Sequence, residues 1–93
     1  MDWDDVRYVL RSKTRKAVLA SLEHPKTPTL IARELGISAS NVSRALRELQ
    51  SRRLIVSLTP NARSGKLLQA TPLGRMVVSK LTEISTKEGR TNA

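Results

Sequence analysis

The stretch from Thr27 to Ser38 constrains the fold most, because it holds one helix start, one helix end and a second helix start. Thr27 and the proline that follows it are typical of an N-cap and the first residue of a helix. Gly36 is suited to the left-handed conformation that ends many helices. Ser38 can then cap a second helix, predicted over about 39–52. A short turn must therefore join these two helices.

The spacing of apolar residues elsewhere predicts three more helices. Residues at helical spacing predict a first helix over 2–10, with Asp2 as a possible N-cap, and a second over 12–23, with Ser12 as N-cap. A threonine–proline pair precedes a last apolar pattern, which predicts a helix over 72–86. The remaining residues, 87–93, have nothing to bury and are expected to fray.

Between the fourth and the last helix the pattern changes to that of strands. The runs LIVSL at 54–58 and LLQAT at 67–71 flank the segment TPNARSGK at 59–66. Two β-rich runs around proline, asparagine and glycine predict a hairpin with a long basic loop. The predicted fold class is therefore mainly α with a small β-hairpin (α+β), in the order α-α-α-α-β-wing-β-α. At 93 residues, one domain over 1–86 is expected, followed by a C-terminal tail at 87–93.

Two stretches carry a family resemblance. In PTLIARELGISASNVSRALRE, Ala32, Gly36 and Val42 stand at the spacing of the alanine, turn glycine and second-helix apolar residue of helix-turn-helix repressors. The stretch LIVSLTPNARSGKLLQATPLGR is similar to the strand, wing, strand and helix start of winged-helix regulators. Over about 12–81 the chain resembles the arsenical-resistance and multiple-antibiotic-resistance repressors (ArsR/MarR-like). That resemblance implies a winged helix-turn-helix that binds DNA as a dimer.

One position departs from the family pattern. The family usually has glycine where this chain has Arg53, at the exit from the second helix of the motif. A left-handed arginine costs about 1 kcal/mol relative to glycine. Either the helix ends differently here, or the arginine is retained for its charge.

The charge balance predicts a polyanionic partner. The chain has 17 lysines and arginines against 8 acidic residues, for a formal net charge of +9. Such an excess is typical of nucleic-acid or acidic-membrane binding, although a solvated basic surface is the simpler alternative. No cysteine is present, which excludes disulfides and thiolate metal sites, and the sole histidine, His24, has no companion ligand. No cofactor is therefore expected. The acidic start, unlike a signal peptide, favours a cytoplasmic protein.

The helix over 39–52 divides into two faces at 100° per residue. Val42, Ala45, Leu46 and Leu49 share the face that must pack on the core. The opposite side carries serines, an asparagine and arginines, and only Arg44 and Glu48 form an i,i+4 pair of opposite charge. Short polar side chains permit close approach to a major groove, and arginine can reach base edges or phosphates. The alternative is a solvated face. The predicted DNA-binding residues here are Ser38, Ser40, Asn41, Ser43, Arg44 and Arg47.

The wing predicts a second DNA contact. Its arginine and lysine can follow phosphates or enter a narrow minor groove, although an ordinary basic loop is the alternative. Cations after the second helix of the motif, and a threonine at the start of the first, are expected to touch the backbone. These wing and backbone residues are Thr29, Arg52, Arg53, Arg63 and Lys66.

The two terminal helices predict a dimer interface. Each carries an apolar stripe, and a domain this small can bury only part of both. The resemblance also implies dimerisation through terminal helices, whereas the alternative is that both stripes complete the core of one chain. The predicted interface residues are Trp3, Val6, Leu10, Leu73, Met76, Val77, Leu81 and Ile84.

Together these patterns predict a sequence-specific regulator that binds double-stranded DNA as a homodimer, most simply a repressor. A non-specific architectural protein and a protein-interaction module of a larger assembly are the alternatives. The sequence shows no phosphate-binding glycine loop and no nucleophile beside a base, so enzyme activity is not expected. No small-molecule effector and no membrane partner is evident.

Overall fold

The computed structural model describes residues 3–63 and 65–91, with side chains described as far as residue 84. Five helices and one antiparallel hairpin follow the predicted order, which confirms the mainly α winged-helix class. The helices are α1 (Trp3–Leu10), α2 (Lys13–Ser21), α3 (Pro28–Leu35), α4 (Ala39–Ser51) and α5 (Pro72–Thr91), and the strands are β1 (Ile55–Ser57) and β2 (Leu68–Ala70).

The helix starts are fixed by the hydroxyl caps that the sequence predicts. Ser12, Thr27 and Ser38 each accept a hydrogen bond from the backbone N–H three residues later, at 3.2 Å. Thr71 does the same for α5, at 3.0 Å from the N–H of Gly74. Each such cap contributes about 1 kcal/mol to helix stability. The possible cap Asp2 lies outside the described residues.

The turn between α3 and α4 is closed by a left-handed glycine. Gly36 has φ 66°, and its N–H bonds to the carbonyl of Ala32. Ile37 donates to the same carbonyl at 3.2 Å, so the chain reverses direction within two residues of the helix end. This turn joins α3 to α4, and the two helices contact each other as those of a helix-turn-helix do.

The hairpin is hydrogen-bonded internally and also to the connection between α2 and α3. Within the hairpin, Ile55 pairs with Ala70 and Ser57 with Leu68, which directs their side chains inward. Leu68 also forms a two-way bridge with Lys26, with N···O distances of 2.9 and 3.0 Å. The sequence analysis missed this third segment because a single bridging residue carries no strand pattern. The bridge ties the α2–α3 connection to the base of the wing.

The described residues form a single apolar core, which lies among all five helices and the inner face of the hairpin. Gly74 lets α5 pack directly against the backbone that leads into β1, because a Cβ at this position would lie 2.1 Å from the carbonyl oxygen of Leu54. The glycine after the threonine–proline pair is therefore needed for packing and not for a turn.

The last helix is longer than predicted. α5 continues to Thr91, five residues beyond the end predicted at 86, so the predicted tail is helical as far as the structure describes it. Polar residues such as lysine, glutamate and arginine are good helix formers, and a helix can therefore outrun its apolar pattern. No helix in the described part of the chain is both long and apolar enough to cross a membrane.

Candidate nucleic-acid interface

The side of α4 turned away from the core is polar and exposed along its whole length. Val42, Ala45, Leu46 and Leu49 are buried, as the helical spacing predicts. The six residues predicted to bind DNA are all exposed: Ser38, Ser40, Asn41, Ser43, Arg44 and Arg47. The structure therefore brings this group together on one helix and leaves its side chains accessible.

The N-terminal end of α4 combines free polar groups with small side chains. The Ser38 hydroxyl caps the N–H of Asn41 and lies 3.3 Å from the hydroxyl of Ser40. Small residues keep the approach to the helix end unobstructed, and the remaining amides and the helix dipole favour a negative charge there. Ser38 is thus occupied as a cap and Ser40 is hydrogen-bonded to it, while the side-chain amide of Asn41 forms no hydrogen bond with a described residue.

The two arginines on this face have no internal partner. Arg44 and Arg47 form no ion pair or side-chain hydrogen bond with another described residue. The i,i+4 pairing of Arg44 with Glu48 does not form, because Glu48 instead accepts from Nε of Arg15 on α2 at 3.3 Å. Because no carboxylate is paired with them, these guanidinium groups remain available to bind an anionic ligand.

Arg52 and Arg53, which follow α4, differ sharply in their surroundings. Arg53 has φ 60°, so the left-handed exit is retained with arginine in place of glycine. Its side chain is exposed and unpaired among the described residues. Arg52 instead donates to Asp5 at 3.2 Å and stacks on Tyr8, two contacts with α1 that the sequence did not predict, and its phosphate contact stays a prediction. The sequence could not show this, since the partners are 47 and 44 residues away.

The cluster around Tyr8 is the largest polar assembly that the sequence analysis missed. Arg15 and Arg52 lie on its ring, with guanidinium carbons 4.0 and 4.1 Å from the centroid. Arg15 also donates to the carbonyl of Tyr8. We call Asp5, Tyr8, Arg15, Glu48 and Arg52 the Tyr8 cluster. It joins α1 and α2 to the C-terminal end of α4.

The wing carries the expected cations at its tip. Arg63 and Lys66 are exposed and unpaired among the described residues, and Gly65 between them has φ 65°. Thr59 accepts from the N–H of Leu67 at 3.0 Å and closes the base of the loop. Thr29 is exposed in the first turn of α3. No hydrogen bond or ion pair links the described wing residues to α4, so the two parts are separate contact elements on one scaffold.

The predicted dimer residues divide into two groups. Val6, Val77 and Leu81 are buried in the core of the single chain, which corrects their assignment to an interface. Both terminal helices turn their most central apolar residues inward, because α1 packs directly on α5. The other five remain exposed or half-buried, and we call them the terminal apolar surface: Trp3, Leu10, Leu73, Met76 and Ile84.

No group of three acidic or histidine side chains among residues 3–63 and 65–91 could hold a metal ion. The described chemistry of the surface is instead that of exposed cations, hydroxyls and amides. Such groups can bind anions and base edges.

The fold is that of a winged-helix protein and is similar to the folds of several solved transcription regulators. Staphylococcus aureus MarR in complex with salicylate and kanamycin has a TM-score of 0.81 and 18% identity, over 96% of this chain and 64% of that one. A Lactococcus lactis ZitR mutant has a TM-score of 0.69 and 30% identity, over 87% and 60%. A S. aureus MepR mutant bound to an oligodeoxyribonucleotide has a TM-score of 0.74 and 24% identity, over 95% and 68%. The chain thus spans only about two thirds of these proteins.

Within that class the family is defined by sequence. Residues 3–92 match the family model described as the HVO_A0261 N-terminal domain, and the chain belongs to this family. No curated protein sequence matches the chain significantly.

Proposed function

We propose that this protein is a sequence-specific transcription regulator that binds double-stranded DNA as a homodimer, with one winged-helix domain over residues 1–86. The observation that carries the proposal is the exposed face of α4, where hydroxyls and an amide stand beside the unpaired Arg44 and Arg47. A helix with small polar residues at its N-terminal half can enter a major groove, and arginine there can bind guanine bidentately.

The wing supplies the second contact of the proposed complex. Arg63 and Lys66 lie on either side of a left-handed glycine in an exposed loop, which favours contact with flanking phosphates or a minor groove. Arg53 and Thr29 are proposed as further backbone contacts. Phosphate contacts fix the orientation of α4, and base contacts decide the sequence that is bound.

The terminal apolar surface supports a two-fold dimer. Trp3 and Met76 are each 51% exposed, and Leu10 is 45% exposed. A symmetric pairing of α1 and α5 would cover these side chains and place two copies of α4 about one DNA turn apart. Repression by occupation of promoter DNA is the simplest output, since it needs binding and no catalysis.

Two of the similar structures bear on the proposal. The MepR mutant was solved with an oligodeoxyribonucleotide, which agrees with DNA as the ligand of this fold. The MarR protein holds salicylate and kanamycin, so proteins of this fold also bind small molecules. We propose DNA binding for this chain on the first ground together with its own exposed arginines.

Selection of bound duplexes from a random pool by the purified protein tests the proposal. We expect enrichment of a palindromic sequence whose half-sites are about ten base pairs apart. The Arg44→Ala and Arg47→Ala variants should fail to enrich it, while Arg11→Ala, which removes an exposed arginine just after α1, should enrich it as the wild type does. Recovery of random sequence by the wild type would refute sequence-specific binding.

The net charge of +9 favours one second candidate, a non-specific architectural DNA-binding protein. Salt titrations separate the two functions. The regulator binds its selected duplex at least a thousandfold more tightly than random duplex at one salt concentration, whereas an architectural protein binds both equally with the same salt dependence.

A further inference from the structure

A small concave site lies between α1 and the C-terminal end of α4. Its volume is about 190 Å³, and it is lined by Asp4, Arg7, Tyr8, Arg11 and Arg52. Three of the five lining side chains are therefore arginines: Arg7 lies on α1, Arg11 follows that helix, and Arg52 caps the end of α4. We call it the arginine site.

The charges at the arginine site are unbalanced in favour of cations. Arg7 pairs with Asp4, and Arg52 pairs with Asp5 just outside the site. Arg11 forms no ion pair with a described residue. Three guanidinium groups around one cavity repel one another, and an anion placed among them relieves that repulsion. Guanidinium also matches the oxygens of phosphate with two parallel hydrogen bonds.

One wall of the arginine site, formed by Tyr8 and Arg52, is held in place before any ligand binds. Arg52 is held by stacking on Tyr8 at 4.1 Å and by its 3.2 Å contact with Asp5. Tyr8 is held in turn by Arg15, which lies at 4.0 Å on its ring and binds Glu48 at 3.3 Å. Side chains that are already fixed lose less conformational entropy when a ligand binds.

The arginine site lies beyond the last turn of α4, on the side that faces α1. Arg52 is roughly 140° around the axis of α4 from Arg47, and although it has nearly the angle of Asn41, it lies roughly 16 Å further along that axis. Its guanidinium is directed to α1 by Asp5 and Tyr8, which lie on the protein side of α4. The arginine site therefore faces α1, and duplex binding by an Arg11 variant tests whether its ligand is distinct from the duplex that α4 is proposed to read.

From these observations we infer that the arginine site binds a small phosphate-type dianion, either inorganic phosphate or the phosphate group of a small phosphomonoester. The volume of the site is below the roughly 300 Å³ of a pocket for a drug-sized molecule, but it accommodates a phosphoryl group with a small substituent. When the anion binds, Arg11 gains an ion-pair partner. Arg7 and Arg52 bind the anion while they keep their contacts with Asp4 and Asp5.

Isothermal titration calorimetry with inorganic phosphate and with methyl phosphate tests the inference, at a constant ionic strength set with sodium chloride. We expect saturable binding of one dianion per chain to the wild type. Arg11→Gln should weaken it at least tenfold, and Arg11→Lys should weaken it less, since lysine keeps the charge but not the two parallel hydrogen bonds. Arg33→Gln is the matched control, because Arg33 is exposed and unpaired on α3. It should bind as the wild type does.

The outcomes separate specific binding from general charge effects. Tighter binding of methyl phosphate identifies a phosphomonoester as the ligand class, and tighter binding of inorganic phosphate identifies the free anion. Absence of saturable binding, or an equal loss in Arg11→Gln and Arg33→Gln, would overturn the inference. Circular dichroism should show Arg11→Gln folded, because the exposed Arg11 side chain supports no described contact.

A third measurement keeps the inference distinct from the proposed function. Arg11→Gln should bind duplex DNA with the affinity of the wild type. A loss of DNA affinity in this variant together with competition between duplex and phosphate would assign the arginine site to the DNA backbone and refute the inference. A failure to bind phosphate with DNA affinity intact would leave the proposed function standing.

Discussion

The guanidinium carbon of Arg52 lies 4.1 Å from the centroid of the Tyr8 ring, so the residue that caps the end of α4 is stacked on α1. The guanidinium carbon of Arg15 lies 4.0 Å from the same centroid, and its Nε binds Glu48 on α4 at 3.3 Å. The N-terminal helix is thereby joined to the helix that we propose reads DNA, and the orientation of α4 depends on α1 as well as on α3.

Replacing Tyr8 with leucine should lower the free energy of unfolding by about 1–3 kcal/mol. The variant loses two cation–π contacts of about 0.5–2 kcal/mol each and regains part of the loss by apolar packing. Urea denaturation measures the change. Tyr8→Phe keeps the ring and should stay within about 0.5 kcal/mol of the wild type; an equal loss in both variants would show that the ring contacts with arginine are not the cause.

Replacing Arg44 with alanine should cost about 1–3 kcal/mol of DNA-binding free energy and relax the sequence preference at one position. The exposed and unpaired guanidinium is proposed to contact a base edge. Lys66→Ala, in the wing, should weaken binding to all sequences alike and reduce the salt dependence by about one counterion. Fluorescence anisotropy on selected and random duplexes at several salt concentrations measures both. An unchanged preference in Arg44→Ala would place that side chain on phosphate.

Replacing Arg53 with glycine should raise the free energy of unfolding by about 1 kcal/mol. Arg53 has φ 60°, where a side chain is disfavoured and glycine is not. If the arginine is retained for its charge, the same variant should bind DNA more weakly. Arg53→Lys, which keeps both the strain and the charge, is the control for each measurement. No gain in stability for glycine would mean that the native contacts of the arginine side chain compensate the strain.

The Gly74 position should tolerate no side chain. A Cβ there would lie 2.1 Å from the carbonyl oxygen of Leu54, so Gly74→Ala must displace α5 from the hairpin and should cost about 2–4 kcal/mol. Gly36→Ala is the comparison, because its φ of 66° is unfavourable but nothing lies within 4 Å; it should cost only about 1 kcal/mol. Thermal unfolding of the two variants measures the difference. Equal losses would show that backbone strain outweighs the steric contact.

Local features of the fold were predictable from the sequence, whereas the contacts that were missed join residues far apart in the chain. Hydroxyl caps such as Ser38 and the glycine turn at Gly36 depend on neighbouring residues, so each was correctly predicted. The Lys26–Leu68 bridge and the stacking of Arg52 on Tyr8 join residues more than 40 positions apart. No local pattern specifies such contacts, because they depend on how the helices pack.

The residues of the candidate site also divide into features that follow from the local sequence and features that depend on how the helices pack. Exposure of Arg44 and Arg47 follows from the helical period alone, and the structure agrees with it. The sequence could not assign the apolar stripes of α1 and α5 to the core or to the surface, since a stripe that faces the core and a stripe that faces a partner have the same helical spacing. Val6 and Val77 turned out to be core, whereas Trp3 and Met76 are exposed. The predicted dimer thus depends on fewer residues than the stripes contain.

Replacing Met76 with lysine should shift the proposed dimer toward monomer. Met76 is 51% exposed on α5 in the terminal apolar surface, and a buried unpaired ammonium in a symmetric interface would occur twice. Sedimentation velocity over a range of protein concentrations measures the shift, and binding to a palindromic duplex should weaken with it. Leu58→Lys is the matched control, because Leu58 is 46% exposed beside the wing, outside the terminal helices. A dimer that survives Met76→Lys, or one that Leu58→Lys disrupts instead, would place the interface elsewhere.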